Sequence, residues 1–483
     1  MDQSAHPEFD VIVAGGGPGG ATAATLLAKR GHRVLLLEKE RFPRYQIGES
    51  LLPSTVHGVC EMLGVSDELA RAGFPVKRGG TFRWGANPDP WTFTFALSRK
   101  LAGRTSTAYQ VDRARFDQIL LENARKHGVD VREEHEVLAL IEEDGRYRGV
   151  RFRDDSGAVA TAAARYVVVA AGSSTALYKG VGERVYSDFF RNVAVFGYFE
   201  GGKRLPAPNE GNILCSAFDD GWMWYIPISD TLTSVGAVVA SERAATIQKD
   251  REGALHGFVD SCPIVRDYLS EARRVTSGKY GEVRVRKDYS YRSTRYWRPG
   301  AVLVGDAACF VDPVFSTGVH LATYSGVLAA RSISTVLSGS LPEAECFREF
   351  ERRYARELEV YHTFLQAMYN INESESSYFW EARKVLGTDQ PDEEAFVDLV
   401  AGVSAPGASR FGDALRDATR PESLDEGDAV FAGEGTRFLG SVLREAGDLQ
   451  LRAVAGEQDG PEPGMFPDGL VSSADGLSWE RRA

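Results

Sequence analysis

Short apolar runs and helix-forming stretches alternate over the first part of the chain. Phe9 to Ala14 is a β-rich apolar run. A glycine turn follows over Gly15 to Gly20, then strong helix formers from Ala21 to Lys29, stopped at Gly31. A second apolar run spans Arg33 to Glu38, which predicts half of a parallel βαβ unit. Tyr166 to Ala171 and Ala301 to Val304 are two further runs without polar alternation, as strands covered on both faces require. Together they predict one parallel sheet assembled from distant segments. Elsewhere the period changes to two. Trp91-Thr92-Phe93-Thr94-Phe95 alternates within 82–95, and a second alternating region covers 193–239, with Ser229-Asp230 placed as a hairpin turn. The predicted class is α/β: a discontinuous doubly wound domain interrupted by a mostly antiparallel sheet.

Two helices complete the pattern. Arg113 to His127 is amphipathic, with Phe116, Ile119, Leu120 and Ala124 on one face. Phe347, Phe350, Tyr354, Leu358, Tyr361, Leu365 and Met368 recur at spacings of three and four, a stripe for core packing. The segments expected are a nucleotide-binding part over 1–80, sheet strands over 81–110, nucleotide-binding again over 111–185, and the antiparallel sheet over 186–295. The nucleotide-binding part returns over 296–340, followed by a helical C-terminal region over 341–454. The stretch 455–483, with six carboxylates against two arginines, is expected to be a flexible acidic tail.

Composition narrows the function classes. The chain has 483 residues, 43% of them apolar, and a net charge of −12. That length and apolar content supply sizeable cores. The acidity argues against nucleic acid or an anionic membrane as partner, and no apolar run is long enough to span a bilayer. The first strand begins too early for a cleavable leader, so a cytoplasmic protein is expected. Cys60, Cys215, Cys262, Cys309 and Cys346 are scattered and never spaced C-x-x-C, which reads as buried thiols and not as disulfides or zinc ligands. His57 and His256 have no partner at metal-ligand spacing, and no metal site is expected.

Gly15-Gly16-Gly17-Pro18-Gly19-Gly20 satisfies G-x-G-x-x-G after a strand and at the opening of a helix, with Glu38 at the end of the second strand. That context is the dinucleotide fingerprint. Gly15, Gly17, Pro18 and Gly20 shape the turn, the helix start offers N–H groups to a pyrophosphate, and Glu38 suits a ribose hydroxyl pair.

Downstream, Val302-Leu303-Val304-Gly305-Asp306 and then Asp312-Pro313-Val314-Phe315-Ser316-Thr317-Gly318 resemble the second fingerprint of flavin monooxygenases of the para-hydroxybenzoate hydroxylase type. The resemblance implies FAD, with Asp306 at the ribityl chain and the helix start around Pro313 and Gly318 at the flavin edge. It implies a Rossmann-like FAD-binding domain. Gly48-Glu49-Ser50-Leu51-Leu52-Pro53 and Arg113 with Phe116-Asp117 match further positions near the cofactor, so Ser50 and Arg113 join the expected FAD site.

Gly221-Trp222-Met223-Trp224-Tyr225-Ile226-Pro227 reads W-x-W-x-I-P, and residues two apart on a strand share a face. With the flavin fingerprints, this resembles the signature of flavin-dependent halogenases, although geranylgeranyl reductases carry a related Y-x-W-x-F-P pattern. Phe74-Pro75-Val76-Lys77-Arg78-Gly79-Gly80 is similar to the segment that bears the halogenase active lysine, and Phe315-Ser316-Thr317-Gly318-Val319-His320 to its halide loop.

The resemblance implies that reduced FAD, supplied by a separate NAD(P)H-dependent flavin reductase, and molecular oxygen convert chloride or bromide to hypohalous acid. Thr317 and Gly318 would hold the halide. Trp222, Trp224, Pro227 and Phe315 would wall the site. Lys77 would deliver the halogen, its amine made useful by burial or by a cationic neighbour such as Arg78. Tryptophan halogenases place a glutamate where this chain has Phe315, so an electron-rich phenolic or pyrrolic natural-product precursor is expected, free or tethered to a carrier protein. Secondary metabolism such as antibiotic biosynthesis is the expected setting. A flavin-dependent aromatic hydroxylase and a geranylgeranyl-reductase-like flavoprotein are the alternatives. His320 reads as a packed helix residue or as a donor behind the halide loop.

Overall fold

In the computed structural model, which describes residues 7–84, 89–98, 101, 103–287, 289–371, 466 and 469–482, the run Phe9–Ala14 is a central strand of a parallel sheet. It lies between Val34–Leu37 and Val159–Val169, and the order continues to Asp130–Arg132 on one side and Ala301–Leu303 on the other. Val11 sits beside Tyr166 and Val34, and Val11, Ile12, Val13, Leu35 and Leu36 are fully buried. Cover on both faces explains why these strands are continuously apolar. The helices Pro18–Lys29 and Thr317–Leu337 pack so closely that a Cβ on Gly326 would lie 2.6 Å from the Gly19 carbonyl.

The second sheet runs in the order Arg273–Arg274, Asn192–Glu200, Leu232–Ala240, Gly221–Pro227, Ile213–Phe218, Gly79–Arg83, Trp91–Thr94. Its pairs are antiparallel except Ile213–Phe218 with Gly79–Arg83, which run parallel. The turn at Ser229-Asp230 is closed by Ser229 Oγ, which accepts from the Leu232 N–H at 3.0 Å. Helix Arg113–Lys126 starts where Asp112 accepts the Ala114 N–H, a side-chain cap.

Helix Glu343–Ile371 buries Phe347, Phe350, Tyr354, Leu358, Tyr361, Leu365 and Met368, the stripe expected from sequence. The rest of the expected helical C-terminal region, 372–454, lies outside the described residues. The acidic tail departs from expectation. Val471–Ser472 and Trp479–Glu480 pair as a hairpin, and Trp479, 1% exposed, docks on helix Thr317–Leu337. Its Nε1 donates to Ser332 Oγ at 2.8 Å, and Arg331 and Arg353 lie over its ring at 4.6 and 4.9 Å. Net charge misled for this part of the tail, because one large buried indole outweighs the exposed Asp475 and Glu480; residues 455–465, 467, 468 and 483 lie outside the described residues.

All five cysteines are free and buried. Among the described residues no metal-ligating cluster occurs, and no helix is long and apolar enough to cross a membrane.

Candidate active site

The glycine turn has the shape a dinucleotide needs. Gly15 takes φ +108°, a region open mainly to glycine, and a Cβ on Gly20 would lie 2.0 Å from the Gly15 carbonyl. Gly17 is the N-cap of the following helix, with no side chain accepting the first N–H groups. A Cβ there would meet only Arg44 Nη2, at 3.5 Å. Amides without a side-chain cap, open space and a neighbouring guanidinium fit a pyrophosphate. Glu38 is buried, and its carboxylate accepts from the Gly16 N–H at 2.7 Å and the Glu40 N–H at 2.9 Å. It therefore shapes the turn, and its remaining lone pairs suit hydroxyl donors such as those of a ribose.

Arg113 is buried within the chain. It makes two hydrogen bonds to Asp117, at 2.8 and 3.0 Å, and donates to the carbonyls of Ile47 and Gly48. It therefore braces the Gly48-Glu49-Ser50 turn. Asp306 is partly exposed, and burial, opposed by Arg113, Arg184 and Arg286, raises its carboxyl to about 6. Glu49 is also pushed upward by burial, against the hydrogen bond it accepts from Tyr198.

Lys77 ends the short strand Val76–Lys77 and is 3% exposed, while Val76 and Arg78 on either side are exposed. Its amine donates to Ser50 Oγ at 2.9 Å and the Leu51 carbonyl at 3.0 Å, and lies 5.6 Å from the centre of the Phe95 ring. Among the described residues no carboxylate pairs with it. Burial alone lowers its pKa to about 7. The expectation that Arg78 would help is corrected: neighbours on a strand face opposite ways, and Arg78 points outward. Pro227 is corrected for the same reason. It does not share the face of Trp222, Trp224 and Ile226, and it lines an outer surface cleft with Pro75, Val76 and Arg78.

The wall itself is aromatic. Trp222 and Trp224 stand with ring centres 6.1 Å apart. Rings also run from Phe95 through Phe93 and Phe82 to Phe315, with separations of 5.8, 6.0 and 6.1 Å. Phe364, from the long helix, closes on Phe315 at 5.1 Å. Rings packed this way make an apolar wall from which water is excluded.

The segment expected to hold halide, Phe315 to His320, follows Asp312, whose side chain caps Pro313–Phe315 by accepting the Val314 N–H at 3.1 Å. Ser316 then takes φ +62°, and helix Thr317–Leu337 starts with no side-chain cap. Thr317 Oγ1 is buried and makes no hydrogen bond. An uncapped helix start beside an unsatisfied hydroxyl fits a small anion. Gly318 has Phe310 close by, 2.8 Å from where a Cβ would stand.

Several residues of this site escaped sequence reading. Cys215 links its two halves: its thiol lies 3.9 Å from the Val314 carbonyl, and its strand pairs with Gly79–Arg83, which follows Lys77; burial pushes the thiol up, with Lys77 opposing. Trp84 packs on Trp222 at 6.2 Å, two residues beyond Phe82 in the same alternation that marked the strand. Tyr369 extends the stripe of the long helix by one position and reaches both Trp222 and Asp312. Ser54 and Glu357 flank His320 and carried no local signal.

Known proteins sharing this arrangement define its class. The myxobacterial chondrochloren halogenase CndH, described as a new variant of FAD-dependent halogenases, superposes with a TM-score of 0.80 at 53% identity, over 98% of this chain and 99% of that one. CmlS, a flavin-dependent halogenase, gives 0.75 at 30% identity, over 98% and 84%. A tryptophan 2-halogenase of Chondromyces crocatus is 33% identical over 405 residues, 81% of this chain and 75% of that protein. The protein is thus a flavin-dependent halogenase, an enzyme that takes FAD, receives it reduced from a separate flavin reductase, and acts on an aromatic substrate. More narrowly, the chain belongs to the tryptophan halogenase family, which matches residues 10–103 and 97–437. The hydroxylase and reductase alternatives give way to this match.

Proposed function

We propose that this halogenase chlorinates or brominates a phenolic or pyrrolic natural-product precursor, free or carrier-tethered, by passing hypohalous acid to Lys77. The observation that carries the reading is the environment of the Lys77 amine: 3% exposed, hydrogen-bonded to neutral oxygens only, and facing an aromatic ring. With a pKa of about 7, a large share of this amine is unprotonated at neutral pH. An unprotonated amine can accept a hydrogen bond from hypohalous acid or take its halogen.

Bound reduced FAD, with oxygen, supplies the oxidising equivalent for the halide. The chain's part is to hold and steer. Gly17 and the helix start behind it hold the pyrophosphate, Asp306 the ribityl chain, and Thr317 and Gly318 the halide. Trp222, Trp224 and Phe315 separate the aromatic substrate from the cofactor. Phe315 offers no carboxylate to assist loss of the ring proton, so the substrate must be electron-rich in its own right.

Lys77→Ala tests this. With a flavin reductase, FAD, oxygen and bromide, the variant should still oxidise flavin and release peroxide, while halogenation of an electron-rich phenol falls at least 100-fold. Halogenation at the native rate would remove Lys77 from the mechanism.

A further inference from the structure

Behind the halide loop lies a buried array that the reading above does not use. His320 belongs to the first turn of helix Thr317–Leu337 and is 2% exposed. Its Nδ1 lies 2.9 Å from Ser54 Oγ and its Nε2 2.7 Å from Glu357 Oε1, with Ser54 and Glu357 both buried. Tyr324 stacks on the imidazole at 5.9 Å and Tyr361 meets its edge at 5.8 Å. An ionised carboxylate only accepts, so Nε2 carries a proton. In the neutral ring Nδ1 then accepts the Ser54 hydroxyl.

The three members come from three elements, and each element carries a different part of the site. Ser54 opens the short helical segment Ser54–Val59, directly after Ser50 and Leu51, the acceptors of the Lys77 amine. His320 shares a turn with Thr317 and Gly318. Glu357 lies on the long helix that supplies Phe364 and Tyr369 to the wall. The imidazole is held at both ends, so the helix start cannot rotate or slide against the Lys77 loop without breaking a buried hydrogen bond.

We propose that His320, clamped between Ser54 and Glu357, is a positioning residue for halide oxidation: it fixes the Thr317–Gly318 amides relative to the Lys77 acceptor loop. The proposal rests on the reading that those amides hold the halide. Misplacement of a reacting group by about 1 Å can lower a rate about 100-fold, so loosening the clamp should divert flavin turnover from halide oxidation to peroxide.

The test uses the full chain with FAD, a flavin reductase, oxygen and bromide, and monochlorodimedone as the trap for oxidised bromide. Flavin reoxidation, trapped bromide and hydrogen peroxide are measured together. His320→Gln, Glu357→Gln and Ser54→Ala should each lower trapped bromide per flavin reoxidised at least tenfold. Peroxide should make up the difference, and the bromide concentration for half-maximal trapping should rise. Ser54→Thr, which keeps the hydroxyl, should recover most of the native ratio. An unchanged ratio in Ser54→Ala and His320→Gln would overturn the proposal while leaving the halide reading intact. Loss of FAD binding in step with trapping would assign the array to folding and would also overturn it. If the native enzyme reoxidises flavin but yields no trapped bromide, the halide reading fails first and takes the proposal with it.

Discussion

The indole of Trp222 donates to the hydroxyl of Tyr369 at 2.7 Å, and that hydroxyl donates to Asp312 at 2.9 Å. One oxygen from the long helix thereby ties Trp222 to the carboxylate that caps Pro313–Phe315. Trp222, Tyr369 and the Asp312 turn are therefore one hydrogen-bonded unit.

Tyr369→Phe removes that oxygen and leaves the ring in place. Losing a bridge between two buried polar groups should destabilise the protein by ~1–3 kcal/mol. Urea unfolding of the FAD-free chain measures this, and a loss below ~0.5 kcal/mol would show that the bridge is replaced by other partners.

Gly17 and Gly20 separate cofactor binding from folding. Gly17→Ala adds a methyl where only Arg44 Nη2 is near and the backbone tolerates it, at φ −67°. Its unfolding midpoint should stay close to native while FAD affinity falls about tenfold, read by flavin fluorescence quenching. Gly20→Ala drives a methyl into the Gly15 carbonyl and should fail to give folded protein. Native FAD affinity in Gly17→Ala would place the pyrophosphate elsewhere.

Lys77 makes stability depend on pH in a predictable direction. Its folded pKa is about 7 against an ordinary 10.5. Between those values the unfolded chain binds a proton that the folded chain does not, so native stability rises with pH across the window, by up to about 1.4 kcal/mol per unit. Lys77→Met lacks this slope. The stability difference between the two proteins should change by that amount per unit between pH 7.5 and 9.5, and a constant difference would mean the amine is ordinary.

Trp479→Ala tests the C-terminal hairpin. Truncating a buried Trp costs ~3–5 kcal/mol, here with loss of the Ser332 hydrogen bond and the stacked Arg331 and Arg353. Thermal unfolding should fall by several degrees, and an unshifted midpoint would show that the hairpin contributes nothing to the fold.

Local chemistry made much of the architecture legible in the sequence. A glycine turn between an apolar run and a helix, and two tryptophans at spacing two, need only neighbouring residues to be read. The errors at Arg78 and Pro227 share one cause: adjacency in sequence was taken for adjacency in space, whereas on a strand it places side chains on opposite faces. What sequence did not disclose joins distant segments. Nothing local sets Ser54 against His320, or Glu357 behind it, and Cys215 comes beside Lys77 only because Ile213–Phe218 pairs with Gly79–Arg83. At Trp479 the packing of one ring reversed an inference drawn from charge.

The parallel sheet has a consequence for how the enzyme is made. Its strand Ala301–Leu303 leaves the ribosome after every strand of the second sheet and after its own parallel partner, Val159–Val169. The nascent chain must therefore carry Val159–Val169 with its far edge unpaired by Ala301–Leu303 while residues 192–287 of the second sheet are synthesised. Non-local parallel pairing is slow and leaves such edges exposed. Cellular yield should thus respond to translation speed, because the edge of Val159–Val169 stays open until that last strand arrives.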